Sequence, residues 1–255
     1  MESKSIPKKI LIAGPCSLEG RVQAHEIADK CRQLADKYGF DYYFKASFDK
    51  ANRTSVNSKR GIGIDKAIRI FTELKELQGC KITTDIHEPW HAEKLAKVVD
   101  IIQIPAYLCR QTDLLVAAGD TFKTINIKKG QFIDGRNMIH AIDKVKSTGN
   151  NKIMLTERGS MFGMGDLVVD FRQVVDMKEL GVPVIMDCTH STQRPNSGST
   201  TDGQPKYAIH IAKLAKAVNV DGYFFEVHEN PSAAWSDGSN MIKLSEFENV
   251  LKQIA

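Results

Sequence analysis

The chain has neither of the cysteine patterns that mark a disulfide scaffold or a zinc ribbon. Its five cysteines, Cys16, Cys31, Cys80, Cys109 and Cys188, are odd in number and form no C-x-x-C pair. No apolar run approaches the roughly 18 residues needed to span a bilayer. The first apolar stretch, Ile10 to Ala13, stops at Gly14-Pro15, too short for the core of a signal peptide. These absences lead to the expectation of a soluble protein in the reducing cytoplasm, with no membrane association. Charge of one sign is also scarce: 35 Lys and Arg stand against 31 Asp and Glu, with no basic block. That balance argues against nucleic-acid binding and is compatible with a cleft that collects anionic metabolites. The glycine fingerprint of dinucleotide-binding sheets is missing as well, because Gly61-x-Gly63 is followed by Lys66 where a third glycine belongs. Gly159 to Gly165 lacks the Lys-Ser/Thr of a P-loop.

What is present is a repeat of short apolar runs separated by helix-length spacers. Eight are found: Ile10 to Ala13, Tyr42 to Ala46, Lys81 to Ile86, Ile101 to Pro105, Phe122 to Ile127, Lys152 to Leu155, Val182 to Met186 and Gly222 to Val227. Each has the length and β-branched or aromatic content of a buried strand. Helical patterns follow them. Ile27, Cys31, Leu34, Ala35 and Tyr38 share a face before Gly39, and Ile64, Ala67, Ile68, Phe71 and Leu74 do so before Gly79. The series continues with Ile139, Ile142 and Val145, then Val168, Phe171, Val175 and Leu180, then Ala208, Ile211, Ala215 and Val218, and ends with Leu244, Phe247, Leu251 and Ile254. Strands alternating with helices pair in parallel, and eight repeats close a barrel. The expectation is a single (β/α)8 barrel, a TIM barrel, over residues 1–255. Ser191 to Pro205, rich in Ser, Thr, Gly and Pro, is the longest stretch without a pattern and reads as a lid.

Barrel enzymes build their sites just past the C-terminal ends of the strands. Here those positions are polar throughout: Cys16 and Glu19; Lys45, Ser47, Lys50, Asn52 and Arg53; Asp85, His87 and Glu88; Gln103; Asn126, Lys128 and Lys129; Glu157 and Arg158; Asp187, Cys188 and His190; Glu226 and His228. Lys45, Lys50, Arg53, Lys128 and Arg158 would place five cations around one mouth, which calls for anionic ligands such as phosphate. Closure brings strands seven, eight and one together, so Cys16, His190, Glu226 and Asp237 can meet. A thiolate, an imidazole and two carboxylates suit Zn²⁺, Fe²⁺ or Mn²⁺ better than a hard Mg²⁺ or Ca²⁺. Spacing leaves Cys188, His87 and His228 open as rival ligands.

Several of these stretches resemble the 3-deoxy-D-manno-octulosonate 8-phosphate synthases. They are Ile12 to Glu19 (IAGPCSLE), Phe44 to Ser55 (FKASFDKANRTS), Thr84 to Pro89 (TDIHEP), Ile101 to Leu115, Asn126 to Phe132 (NIKKGQF), Thr156 to Arg172 and Asp187 to Pro195 (DCTHSTQRP). The resemblance runs from about residue 9 to the end and implies the same (β/α)8 fold. It implies condensation of phosphoenolpyruvate with D-arabinose 5-phosphate, an early step toward lipopolysaccharide. Lys45, Ser47, Lys50, Gln103, Lys128 and Arg158 are implied for phosphoenolpyruvate, and Asp85, Asn52, Arg53 and Thr54 for the sugar phosphate. Lys45, Lys50, Lys128, Asp85 and His190 are the implied catalytic set. Cys16, His190, Glu226 and Asp237 match the metal-requiring branch, with one divalent transition metal per subunit, and the family implies a homotetramer. The sister 3-deoxy-D-arabino-heptulosonate 7-phosphate synthases, which use erythrose 4-phosphate, typically read Lys-Pro-Arg-Thr where this chain reads Lys50-Ala51-Asn52-Arg53-Thr54. They remain the alternative, ahead of a Schiff-base aldolase using Lys45 or Lys128 and of a binding protein without catalysis. The segment after Pro195 departs from the family pattern.

Overall fold

Eight main strands alternate with eight helices in a computed structural model that describes residues 7–53, 55–161, 163, 165–194 and 202–255. The strands are β1 (Ile10–Gly14), β2 (Asp41–Lys45), β3 (Lys81–Asp85), β4 (Ile101–Ile104), β5 (Thr124–Lys128), β6 (Ile153–Glu157), β7 (Val184–Asp187) and β8 (Gly222–His228). Each pairs in parallel with the next, and β8 pairs with β1 so that Ile10 lies opposite Gly222 and Gly14 opposite Glu226. The sheet closes on itself, as the eight-run pattern predicts. The helices are α1 (Arg21–Tyr38), α2 (Ile64–Gln78), α3 (Pro89–Ala96), α4 (Thr112–Gly119), α5 (Ile139–Lys146), α6 (Phe171–Glu179), α7 (Ala208–Ala217) and α8 (Phe247–Ile254). None of them is long and apolar enough to cross a membrane.

Successive side chains on a strand point to opposite faces, so each barrel strand sorts its residues into two sets. Leu11, Ala13, Phe44, Ile82, Ile125, Leu155 and Phe225 point outward and pack under the helices, against Ile27, Leu34, Phe71, Leu74 and Leu251 among others. Ile12, Ile101, Met154, Ile185 and Phe224 point inward and form a separate apolar plug in the lumen. Two residues further along the same strands, the inward set becomes Gln103, Asp187 and Glu226, joined by Lys45, Asp85 and Lys128. The plug is the floor on which the polar mouth rests.

The same alternation corrects part of the sequence-based list of rim residues. Lys129, Glu157 and Cys188 fall on the outward parity. Cys188 lies in the outer apolar core. Lys129 and Glu157, both essentially inaccessible to solvent, pair with each other at 3.6 Å behind the strand wall. Further corrections concern element ends. Phe122 is not in a strand: it has a left-handed φ of 53° and is exposed, and β5 begins at Thr124. Val168 and Val175 are exposed, and the buried positions of α6 are Val174 and Met177, because the helix starts only at Phe171, after Asp170 caps it by accepting from the Arg172 N–H. Of the expected structureless stretch, Gln193–Arg194 and Asp202–Gly203 form a short antiparallel ladder. The centre of the proposed lid, residues 195–201, lies outside the described residues.

Gly14 ends β1 where the neighbouring backbone comes closest. A Cβ there would sit 2.2 Å from the Lys45 carbonyl oxygen, so only glycine lets β1 and β2 deliver their ends side by side. Gly14→Ala is expected to destabilise the barrel by about 1–3 kcal/mol, as overpacking against backbone does, and to lower the thermal midpoint by roughly 3–10 °C in a melt followed by circular dichroism.

Candidate active site

The C-terminal mouth of the barrel is a cavity of about 1180 Å³. Lys45, Lys50, Arg53, Lys128 and Arg158, the five cations expected there, all line it, as do Ser47, Asn52, Asp85, Gln103, His190, Glu226 and Asp237. Thr54 lies outside the described residues. Cys16, wholly buried at the turn after β1, closes the wall beside Asp237.

Two carboxylates organise the cations. Asp85 Oδ1 accepts from Lys45 Nζ at 3.0 Å and from Ser47 Oγ at 2.5 Å, while its Oδ2 meets His87 Nε2 at 2.9 Å. Burial alone would raise the Asp85 pKa, but the Lys45 ammonium and His87 outweigh it and hold the carboxyl well below the usual range. Asp187 plays the matching part on the other side. Its Oδ2 lies 2.5 Å from Lys128 Nζ and 2.7 Å from His190 Nδ1, and its Oδ1 accepts from the backbone N–H groups of Thr189 and His190. Burial opposes ionisation here too, yet His190 and Lys128 keep Asp187 far below the normal carboxylate value. Burial draws Lys128 below the ordinary lysine value against the pull of Asp187. Lys50 goes the other way: its burial is overcome by its neighbours Cys16, Glu226, Asp85 and Asp237, which raise it.

Cys16, His190, Glu226 and Asp237 each present one donor atom, and the four atoms lie within 4.8 Å of one another. Cys16 Sγ is 3.1 Å from Asp237 Oδ2, and His190 Nε2 is 3.3 Å from Glu226 Oε1. Because Asp187 holds Nδ1, the imidazole turns Nε2 toward the cluster, the orientation a metal-ligating histidine takes from its outer partner. The rival ligands are elsewhere. Cys188 sits in the outer core, His87 is spent on Asp85, and His228 is held by Gln23 and by the Asn230 N–H.

Arg53 is engaged by the loop after β8: Nη1 donates to Ser236 Oγ at 2.9 Å and Nη2 to the Trp235 carbonyl at 2.6 Å. Arg158 Nη2 donates to Gln193 Oε1 at 2.5 Å. Among the described residues, Arg158 Nη1, Gln103 Oε1, Gln131 Oε1 and Glu226 Oε2 are buried without a hydrogen-bond partner. These four belong to residues that line the mouth, where they are available to a polar ligand. Gln131, Gln193, Ser236 and Tyr107 were missed as site residues by sequence reasoning. Gln131 and Gln193 lie inside stretches that carry the resemblance, and Ser236 directly precedes Asp237, so adjacency was the available signal.

A family model described as the DAHP synthetase I family matches residues 7–255. The chain belongs to this family. Among its relatives is a 2-dehydro-3-deoxyphosphooctonate aldolase of Fusobacterium nucleatum, 46% identical over 95% of this chain and 88% of that protein. Proteins of the same name from a Cyanothece species and from Desulfatibacillum aliphaticivorans are each 47% identical over 96% of this chain and 90% of theirs. As a member of the DAHP synthetase I family, the chain aligns over nearly its whole length, which includes every strand end described above.

Asp85→Asn leaves Lys45 without its buried counter-charge and is expected to cost about 3–5 kcal/mol at pH 7. Because the folded carboxyl is depressed, the wild-type advantage is complete above about pH 4, the ordinary carboxylate value, and shrinks as pH falls from there toward the folded value. Paired urea titrations of the two proteins between pH 3 and pH 7 measure the narrowing; a gap independent of pH would contradict it.

Proposed function

We propose that the protein condenses phosphoenolpyruvate with D-arabinose 5-phosphate and water, giving 3-deoxy-D-manno-octulosonate 8-phosphate and inorganic phosphate. The observation that carries this reading is the match, at 46–47% identity over at least 95% of the chain, to proteins named 2-dehydro-3-deoxyphosphooctonate aldolase. The mouth supplies what the chemistry asks for. In that reaction C3 of phosphoenolpyruvate bonds to the aldehyde C1 of the pentose, water adds at C2, and phosphate departs as the C2–O bond breaks. Anionic charge has to be held throughout. Arg158 and Lys128 neutralise the enol phosphate, the buried Arg158 Nη1 being ready for an oxygen. Lys45 and Lys50, backed by Ser47 and Gln103, hold the carboxylate and the charge that develops beside it, in an environment that does not have to reorganise during the reaction. Asp85 and Asn52 would meet the sugar and its hydroxyls and Arg53 the pentose phosphate, and all three line the mouth.

Cys16, His190, Glu226 and Asp237 would hold one divalent Zn, Fe or Mn ion. The donor chemistry fits: a soft sulfur, an oriented imidazole and two carboxylates, one of which keeps a buried oxygen without a partner. Bound there, the ion would supply Lewis-acid orientation of the water or the aldehyde. Burial, with Glu226 next, pushes the Cys16 thiol well above its ordinary pKa, so metal uptake by this cluster is coupled to loss of a proton and strengthens as pH rises.

A phosphate-release assay with phosphoenolpyruvate tests the reading. Arabinose 5-phosphate is expected to support turnover and erythrose 4-phosphate not to. Strong chelation is expected to abolish turnover, and Zn²⁺, Mn²⁺ or Fe²⁺ to restore it. Equal rates with both aldoses, or full activity in protein shown metal-free by elemental analysis, would each defeat the corresponding part.

The protein is further read as a homotetramer of the cytoplasm. Supporting this are five free cysteines, all buried, and the exposed side chains of Tyr107, Phe132 and Met161 on the loops after β4, β5 and β6. Light scattering is expected to give about four times the 28.4 kDa chain mass, and Phe132→Asp to lower it. A stable, active wild-type monomer would rule the assembly out.

A further inference from the structure

Gln193 stands between two charged groups assigned to different tasks. Its Oε1 accepts from Arg158 Nη2 at 2.5 Å, and its Nε2 donates to Asp237 Oδ1 at 3.1 Å. The orientation of the amide is forced, because the guanidinium only donates and the carboxylate only accepts. A neutral amide serves both at once, with its donor and its acceptor on separate atoms. Glutamate has no donor for Asp237, and an aliphatic side chain has neither function.

Asp237 needs such support. It holds a left-handed φ of 51°, a conformation that costs a non-glycine residue about 1 kcal/mol or more and persists where the surroundings over-determine it. Its Oδ2 is fixed by Cys16 at 3.1 Å and by Ser236 Oγ at 2.7 Å, which leaves Gln193 as the partner of Oδ1. At the other end, Arg158 divides its guanidinium. Nη2 is committed to Gln193 and, at 3.4 Å, to the His190 carbonyl, whereas Nη1 is buried without a partner among the described residues. An anion taken by Nη1 therefore leaves the Nη2 link intact and pins the guanidinium.

We propose that Gln193 is a positioning residue that ties Arg158 to Asp237, so that filling the phosphate subsite tightens metal binding at the four-donor cluster, and metal binding tightens the phosphate subsite. The proposal rests on the reading that the mouth takes phosphoenolpyruvate and that Cys16, His190, Glu226 and Asp237 hold a divalent metal. By linkage the two effects are equal in size, and couplings of this kind are commonly about fivefold or more.

The test is a Co²⁺ titration of the metal-free full chain, followed by the thiolate-to-cobalt absorption that Cys16 supplies, with and without saturating phosphoenolpyruvate. Wild type is expected to bind Co²⁺ at least about fivefold more tightly when phosphoenolpyruvate is present. In Gln193→Ala the Co²⁺ dissociation constant without phosphoenolpyruvate is expected to rise about 10- to 100-fold, the usual effect of removing an outer partner of a ligand. In both that variant and Gln193→Glu, which keeps the Arg158 contact but has no donor for Asp237, the phosphoenolpyruvate effect is expected to fall below about twofold. Phosphoenolpyruvate affinity of the metal-free variants, by calorimetry, is expected to stay within about fivefold of wild type. A larger loss would place Gln193 in the phosphate subsite itself and overturn the positioning role. A wild-type thiolate band that ignores phosphoenolpyruvate, or one whose shift survives in both variants, overturns the inference and leaves the reading of the site standing. Absence of the thiolate band in wild type removes the metal reading and the inference with it.

Discussion

Placing ionised side chains at the end of a barrel lumen costs several kcal/mol per ion unless each meets an opposite charge in good geometry. Asp85 meets that condition with Lys45 on the neighbouring strand β2, and Asp187 with Lys128 on β5, one strand removed, across the lumen mouth. Asp187 satisfies it doubly, because the same carboxylate also orients His190. The direction of the imidazole depends on the Asp187 pair, and the apolar plug of Ile12, Ile101, Met154, Ile185 and Phe224 seals the lumen beneath both pairs.

Pairing inside the protein is incomplete. Among the described residues, Arg158 Nη1, Gln103 Oε1 and Glu226 Oε2 are buried without a partner, and at the mouth such atoms are open to a ligand. The mouth thus combines carboxylates already paired inside the protein, Asp85 and Asp187, with groups left open to ligands. Loops from different strands are bonded to one another there. The segment Trp235-Ser236-Asp237 takes bonds from Arg53, and Gln193 takes one from Arg158, so groups assigned to separate ligands share a framework.

Reading along the chain located the strands to within a residue or two, because a strand buried on both faces leaves a continuous apolar run that needs no knowledge of its partner. It was weaker where residues sit next to a strand end. Lys128 and Lys129 look alike in the sequence, as do Asp187 and Cys188, yet the first of each pair faces the mouth and the second lies behind the wall. Pleat parity decides this, and a one-residue shift in where a strand begins reverses it. Phe122, placed in β5 by its hydrophobicity, shows that an apolar run does not fix where a strand begins: β5 starts two residues later, at Thr124. Val168 and Val175 were misplaced for a related reason, since the helical period was started before the Asp170 cap that sets its phase.

The eightfold alternation, the covered parallel sheet and the residue types at the strand ends were determined by the order of amino acids, since local periodicity and composition suffice for them. Which of those residues share a site was decided only by closure of the sheet. Closure puts Gly14 opposite Glu226, and with it Cys16 beside residues more than 170 positions away. Gln193 could not be singled out in advance, because its role consists of two distances, one to Arg158 and one to Asp237, that exist only when three separate loops fold over the same opening.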